Sequence, residues 1–241
     1  MESPDPERSL KNFSRWLQTP GSLVERSTIL RDHPALLYRL CRLIGASQAI
    51  ADTLIQNPEL ALLLADTSAL QEVPSGSSLL TEGRSLLKST TSFTHALDRI
   101  RYLKQKTILK IAWQDLSGTT EPEDTWLALS CLADAVIGLT TEAVQKELGM
   151  SEVPISIIAL GKLGTQELNY SSDIDLLFLS PDENAREEGA KFGAKLIRAI
   201  SGRMGRGALY RVDLRLRPLG SSGPLTPSVA SAIQYYQHYA E

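Results

Sequence analysis

Apolar residues recur at helical spacing through the first 150 residues of the chain. Residues 1–8 are predicted to be a frayed tail, and from Ser9 a stripe of Leu10, Phe13, Trp16 and Leu17 predicts a helix that Pro20 ends. The same spacing, with Pro and Asn at the starts and Gly at the ends, predicts further helices. They cover roughly 23–30, 34–45, 79–87, 91–116 and 123–148, with two further starts at Ser47 and at Pro58, where Asn57 is the N-cap.

The pattern changes to short apolar runs after residue 150. The run 155–160 is β-branched and predicts a strand, which Gly161 to Gly164 interrupts, and 171–179 predicts a second strand. A helix is predicted to about Met204, followed by strict alternation over 209–218 that predicts a half-buried third strand. A last helix starts near Thr226 and reaches Glu241 without a stop signal.

These elements predict an α+β protein that is mostly helical, with a small mixed β-sheet. We divide it into an N-terminal helical region (1–90), a core with its preceding long helices (91–225), and the start of a truncated C-terminal helical domain (226–241). A length of 241 residues suits one large domain or two small ones.

Composition narrows the classes of protein. The net charge of −3 gives no basic field for nucleic acid, and two cysteines do not make a disulfide framework. The polar, acidic N-terminus is unlike a signal peptide, and no apolar run approaches the roughly 18–20 residues that a membrane helix needs. We therefore expect a cytoplasmic protein with no nucleic-acid partner and no membrane partner.

The candidate chemistry lies at the mouth of the second predicted strand. Side chains alternate along a strand, so Asp173 and Asp175 point to the same face. Two adjacent carboxylates repel each other unless a cation neutralises them, and Mg²⁺ prefers one or two carboxylates together with substrate phosphates. The pattern predicts one or two Mg²⁺ ions here.

The third predicted strand supplies a further acid. Asp213 shares its polar face with arginines, among them Arg215 and Arg217, which suit phosphate. If this strand lies beside the second, three acids converge on the metal. This predicts catalytic and metal-binding roles for Asp173, Asp175 and Asp213.

Small residues precede these acids. Gly161, Gly164, Ser171 and Ser172 would let backbone N–H groups approach a phosphate closely. Asp-x-Asp pairs and glycines after strands are also common in ordinary turns. The combination of glycine turn, paired acids and a later acid among arginines favours phosphoryl or nucleotidyl transfer.

A basic run, Arg99 to Lys110, lies on the predicted helix 91–116, whose buried stripe would be Leu97, Ile100, Leu103, Ile108, Ile111 and Ala112. We expect its cations to form the solvated face of an amphipathic helix, the alternative being that one or two reach a phosphate. His33, His95 and His238 have no partners at ligand spacing, and we assign them no metal or nucleophilic role.

The stretch from Gly161 to Leu176, GKLGTQELNYSSDIDL, resembles the signature of glutamine synthetase adenylyltransferases, which belong to the polymerase-β-like nucleotidyltransferase superfamily. Residues 211–218 and 220–225 resemble that family's third-acid segment, and 97–116 its preceding helix. The resemblance covers most of the chain from about residue 90, and the first 90 residues match only in being helical.

The resemblance implies a polymerase-β-like core with two opposed activities in the full-length enzymes. One copy of the domain attaches AMP from ATP to a tyrosine of glutamine synthetase, and the N-terminal copy removes it by phosphorolysis, giving ADP. The PII signalling protein and glutamine shift the balance between these two activities. The sequence ELNYSSDID resembles the AMP-removing copy more than the other. The resemblance also implies that Asp173, Asp175 and Asp213 bind Mg²⁺. The phosphate site would be lined by Gly161, Lys162, Gly164, Ser171, Ser172, Arg215 and Arg217.

Three hypotheses stay open at this point. The first is Mg²⁺-dependent removal of AMP from adenylylated glutamine synthetase, with phosphate and ADP as small-molecule partners. The second is ATP-dependent adenylylation of glutamine synthetase, or another nucleotidyl transfer. The third is a truncated module that binds nucleotide or a PII protein without turnover.

Overall fold

We describe a computed structural model that covers residues 3–20, 23–72, 74–202 and 207–239, with the backbone alone at 23–25 and 69. Its helices are α1 (Pro6–Leu17), α2 (Leu23–Asp32), α3 (Pro34–Ala46), α4 (Gln48–Gln56), α5 (Thr67–Gln71), α6 (Gly76–Leu87), α7 (Phe93–Ser117), α8 (Pro122–Leu148), α9 (Gly161–Gly164), α10 (Arg186–Ser201) and α11 (Val229–Tyr239). Short 3₁₀ helices lie at Pro58–Leu64 and Gly220–Ser222, and the strands are β1 (Ser156–Leu160), β2 (Ile174–Leu179) and β3 (Val212–Asp213). The predicted helix end at Met204 and the last residue, Glu241, lie outside the described residues.

The chain divides into two compact units. The first unit comprises Met1–Val73 with Gln105–Thr125, and the second comprises Pro74–Lys104 with Trp126–Glu241. The division follows tertiary packing, and the domain boundaries at residues 90 and 225 remain a prediction from the sequence.

The first unit is helical, and its first helix differs from the predicted one. The α1 helix begins at Pro6 because the Asp5 side chain accepts a hydrogen bond from the Arg8 backbone N–H and caps it. Its buried side carries Ser9 and Asn12, which donate to backbone carbonyls of α3. Leu10, predicted to be buried, is 72% exposed. Polar partners on α3 therefore decide which face of α1 is buried.

The second unit contains a three-stranded mixed sheet in the order β1-β2-β3. The β1–β2 pair is antiparallel and the β2–β3 pair is parallel. This confirms the predicted α+β class with a small mixed sheet.

The two faces of the sheet have different surroundings. Leu176 and Ala159 point toward α8, where they line a cavity of about 320 Å³ together with Asp134 and Thr141. On the other face, Leu177 and Leu179 pack against α11. Because side chains alternate along β2, Asp175 lies on the face that α11 partly covers.

The third predicted strand is wrong in length. Only Val212–Asp213 is a strand, because the Asp213 carboxylate accepts from the Arg215 backbone N–H (2.8 Å) and turns the chain. Leu216, expected on the buried face, is 53% exposed.

The basic run on α7 is also different from the predicted solvated face. Arg101 is buried, with 1% of its side chain exposed, and Lys104 is partly buried. Both cations donate to carbonyls of the chain that leads into β3. The predicted apolar stripe of α7 is otherwise correct except at Ile108, which is half-buried while Leu109 is fully buried.

Among the residues that the structure describes, one helix meets the length and hydropathy needed to cross a membrane, contrary to the expectation from the sequence. It is α8, and 61% of its most apolar window is buried within the protein, as in the core helix of a globular protein. The mean hydropathy of α8 is high although a few charged residues interrupt its apolar residues, which is why inspection of the sequence for a continuous apolar run missed it.

Candidate active site

The three predicted acids come together at one edge of the sheet, where β1 ends and β2 begins. Asp175 pairs in register with Asp213 on β3 and with Leu160 at the end of β1. Asp173 precedes β2 and lies within electrostatic reach of Asp175. In-register residues on neighbouring strands have Cα atoms about 5 Å apart and share a face, so the Asp175 and Asp213 side chains lie next to each other.

Arginine side chains already neutralise two of these carboxylates. Arg211 donates from Nε to Asp173 Oδ1, and Arg215 binds Asp213 Oδ2 through Nε (2.8 Å) and Nη2 (2.5 Å). The Arg215 side chain is 84% exposed, so it is free to turn towards an anion in solvent at low cost in desolvation. The Asp213 side chain is only 15% exposed, so the pair joins a largely buried carboxylate to a solvent-exposed guanidinium.

The neighbouring carboxyl groups titrate differently. Burial raises the pKa of Asp175 above its usual range, and repulsion from Asp213 and then Asp173 adds to this. Hydrogen bonds from the Arg215 side chain, and then from its backbone N–H, lower the pKa of Asp213. A bound cation would relieve the repulsion at Asp175.

The donor set fits a hard divalent cation in its chemistry, because carboxylate oxygens are the ligands Mg²⁺ takes. Within 3–20, 23–72, 74–202 and 207–239, no three His, Cys, Asp or Glu side chains are arranged as a ready metal site. Asp173 and Asp213 each accept from an arginine through one carboxylate oxygen. The metal-binding role of the three acids stays a prediction.

The glycine turn forms one helical turn, α9, against Asp175. Gly161 has φ +53°, and a Cβ at this position would lie 2.4 Å from Asp175 Oδ2. A Cβ on Gly164 would lie 2.8 Å from the Ala159 carbonyl oxygen. Both positions require glycine, for a left-handed backbone beside the acid and for close contact with β1 respectively. Lys162 between them is exposed to solvent.

The two serines are organised by Asn169, which the sequence analysis did not single out. Its Oδ1 accepts from the Ser171 N–H (3.1 Å) and the Ser172 hydroxyl (2.8 Å). Arg211 donates to the Ser171 carbonyl (3.0 Å), and so ties the turn to the chain before β3. An Asn before two serines is a signal for such a side-chain-stabilised turn.

One predicted site residue, Arg217, is bonded within its own turn and stays a prediction as a phosphate-binding group. Arg217 donates to the Leu214 carbonyl (2.9 Å) within its own turn, and none of the hydrogen bonds or ion pairs among the described residues joins it to the three carboxylates. Arg211, by contrast, lies at the site although it was noted only as part of the alternating pattern.

Comparison with known proteins adds independent evidence. Residues 37–241 match the family model described as glutamate-ammonia ligase adenylyltransferase, so the match begins well before residue 90. Three curated relatives carry the name bifunctional glutamine synthetase adenylyltransferase/adenylyl-removing enzyme. They are from Brucella suis (30% identity over 97% of this chain), Burkholderia mallei (34% over 92%) and a Bradyrhizobium species (30% over 98%). The alignments cover 26%, 24% and 26% of those proteins, so the chain spans about a quarter of their length.

Proposed function

We propose that this chain, which belongs to the glutamate-ammonia ligase adenylyltransferase family, carries a nucleotidyltransferase site that removes AMP from adenylylated glutamine synthetase by phosphorolysis. In this reaction an oxygen of inorganic phosphate forms a bond to the AMP phosphorus. The bond from that phosphorus to the tyrosyl oxygen breaks, the proton of the phosphate passes to the tyrosyl oxygen, and ADP leaves.

The observation that carries the proposal is the register of Asp175 with Asp213, with arginines on the flanking acids. Transfer at phosphorus needs positioning and charge neutralisation more than covalent help from the protein. In our proposal Asp173, Asp175 and Asp213 hold Mg²⁺. Mg²⁺ bound there would supply positive charge to the phosphate oxygens.

The protein groups would have separate tasks. Arg215 and Arg211 are both exposed and would bind phosphate oxygens. The α9 turn and the Asn169–Ser172 turn would line the phosphates on the side of β1. Gly161 leaves the Asp175 carboxylate uncovered there.

A second candidate is the adenylylating direction, because the relatives' name includes both activities. In that reaction a tyrosyl oxygen would form a bond to the α-phosphorus of ATP, the bond from that phosphorus to the β-phosphate oxygen would break, and pyrophosphate would leave; it is a second transfer of AMP at phosphorus and not the reverse of the phosphorolysis. The PII protein is a further proposed partner, as the source of regulation.

The test presents the purified chain with two substrate pairs. One is adenylylated glutamine synthetase with phosphate and Mg²⁺, followed by ADP release; the other is unmodified glutamine synthetase with ATP and Mg²⁺, followed by transfer of labelled AMP. ADP release in the first alone supports the proposal, and transfer in the second alone replaces it with the second candidate. Turnover in neither, together with ADP binding, would make the chain a nucleotide-binding module.

A further inference from the structure

The strand that carries Asp213 is too short to hold its own position. The β3 strand pairs with β2 at two positions only, Ile174 with Val212 and Asp175 with Asp213. One further backbone bond, from the Ile174 N–H to the Arg211 carbonyl (2.9 Å), extends this ladder. A slip of one residue would turn Asp213 to the other face of the sheet, away from Asp175.

Two cations of α7 hold the chain that leads into β3. Lys104 donates from Nζ to the Leu209 carbonyl, and its ammonium lies 4.1 Å from the centre of the Tyr210 ring. Arg101 donates to the Gly207 carbonyl (2.8 Å) and, more weakly, to the Gly202 carbonyl (3.4 Å). The segment 207–211, which we call the lead-in to β3, is thus bonded to the long helix α7.

The lead-in is also held from α10. The Leu209 and Tyr210 N–H groups both donate to the Ile200 carbonyl, at 2.9 Å and 3.2 Å. At Leu209, therefore, the N–H is fixed by α10 and the carbonyl by Lys104. Four residues further along the chain is Asp213.

We propose that Lys104 is a positioning residue, whose bond to the Leu209 carbonyl sets the register of β3 against β2 and so places the Asp213 carboxylate beside Asp175. The register is a property of the protein alone, while its importance for turnover rests on the proposed function. Lys104 itself is far along the chain from the acids and touches the lead-in, so it acts through the backbone of 209–213.

The surroundings of Lys104 explain why its charge matters. Burial lowers the pKa of Lys104 to about 8, and among the described residues no carboxylate offsets this loss of hydration. Its aromatic neighbour Tyr210 has a pKa that burial raises, with a contribution from the Asp134 carboxylate of α8, so the phenol stays neutral in mildly alkaline solution. Burial lowers the pKa of Arg101 as well, from a value high enough to leave it charged there.

The test measures hydrogen exchange at the Ile174 amide, whose bond to Arg211 reports β2–β3 pairing. In Lys104→Met we expect this amide to exchange about tenfold faster or more, since a hydrogen bond from a charged donor is lost. The amides of the β1–β2 ladder should keep their rates. Lys104→Arg, which retains charge and donors, should restore protection, and Lys191→Met on the exposed side of α10 should leave it unchanged.

Three outcomes would overturn the inference. Unchanged exchange at Ile174 in Lys104→Met is one. Equal acceleration in the β1–β2 ladder is another, because it means general destabilisation. Loss of protection in Lys104→Arg that matches the loss in Lys104→Met is the third.

A second arm needs no substitution and applies if Lys104→Met does not fold. An opening of the lead-in that returns Lys104 to water moves its pKa from about 8 towards the ordinary 10.5, so the opened state binds more protons. As the pH rises from 8 to 9.5, Ile174 protection relative to the β1–β2 amides should therefore rise severalfold. Lys104→Arg should show no such change. A constant ratio in the unsubstituted protein would overturn the inference.

The exchange and ADP-release measurements separate this inference from the proposed function. Faster exchange at Ile174 with no ADP release by any variant supports positioning and removes the proposed reaction. ADP release with unaltered exchange supports the reaction and removes Lys104 as a positioning residue.

Discussion

Asp175 and Asp213 are register partners on adjacent parallel strands, and their environments move the pKa values of their carboxyl groups in opposite directions. Burial and two like charges act on Asp175, while Arg215 acts on Asp213. Neighbouring carboxyl groups whose pKa values are shifted apart are typical of active sites, where they take different protonation states during the reaction. The first prediction tests this pair directly.

Replacing either member of the pair by asparagine should remove turnover and keep the fold. In Asp175→Asn and Asp213→Asn we expect ADP release to fall by about 10²-fold or more, because electrostatic stabilisation of the transferred phosphoryl group is lost. Glu188→Gln, an exposed change on α10, serves as the control for altered net charge. Undiminished ADP release from both aspartate variants would exclude these acids as catalytic groups.

The left-handed glycine at the start of α9 gives a second prediction. Gly161→Ala should lower turnover at least about tenfold, because the new Cβ displaces the Asp175 carboxylate in addition to straining the backbone. Gly149→Ala is the matched control: Gly149 also has positive φ (+65°), but a Cβ there meets nothing within 4 Å. Both variants should lose similar stability in thermal unfolding, and only Gly161→Ala should lose activity. Equal activity in the two would mean that the approach to Asp175 is unimportant.

The turn organised by Asn169 gives a third prediction. Asn169→Ala removes the acceptor for both the Ser171 N–H and the Ser172 hydroxyl, so the turn loses its internal hydrogen bonds. We expect ADP to bind about tenfold more weakly by titration calorimetry, as one or two hydrogen bonds of about 1 kcal/mol no longer order the site. Asn184→Ala, an exposed asparagine before α10, should bind ADP as the unsubstituted protein does. Equal affinities in the two variants would remove the turn from the nucleotide site.

The buried ammonium of Lys104 gives a fourth prediction, about stability. Its pKa is about 8 in the folded protein and near the ordinary 10.5 when unfolded, so the unfolded state binds more protons between those values. The free energy of unfolding should therefore gain a contribution that rises with pH from about 8 to 10.5 and is level below 8. Urea denaturation of Lys104→Met should lack this rise, whereas Lys191→Met should retain it. Parallel pH profiles for all three proteins would show that Lys104 is not buried as described.

Local patterns were sufficient for much of the site. The apolar run of β2 and the two-residue spacing of Asp173 and Asp175 predicted their shared face, because alternation along a strand is a property of the backbone itself. The signature from Gly161 to Leu176 predicted the family, which the comparisons show independently. The sequence predicted the glycine turn as well, for approach to a phosphate, whereas its close contacts with Asp175 and with β1 are seen only in the structure.

Other parts of the prediction failed where a distant partner decides the outcome. Alternation over 209–218 predicted a long strand, but the Asp213 side chain captures the Arg215 N–H and ends the strand after two residues. Leu10 was expected to be buried, but hydrogen bonds to α3 turn Ser9 and Asn12 inward instead. Helical or strand periodicity does not say which polar groups will find partners.

The amino-acid sequence by itself determined most of the element types, the paired acids and the family, because each depends on residues close together in the chain. Only the tertiary structure decided that Asp213 lies opposite Asp175 and that Lys104 is bonded to the lead-in of β3. Strand register and the burial of a charge depend on groups that folding brings from about 40 to 100 residues away, and their energies exist only once those groups are in contact.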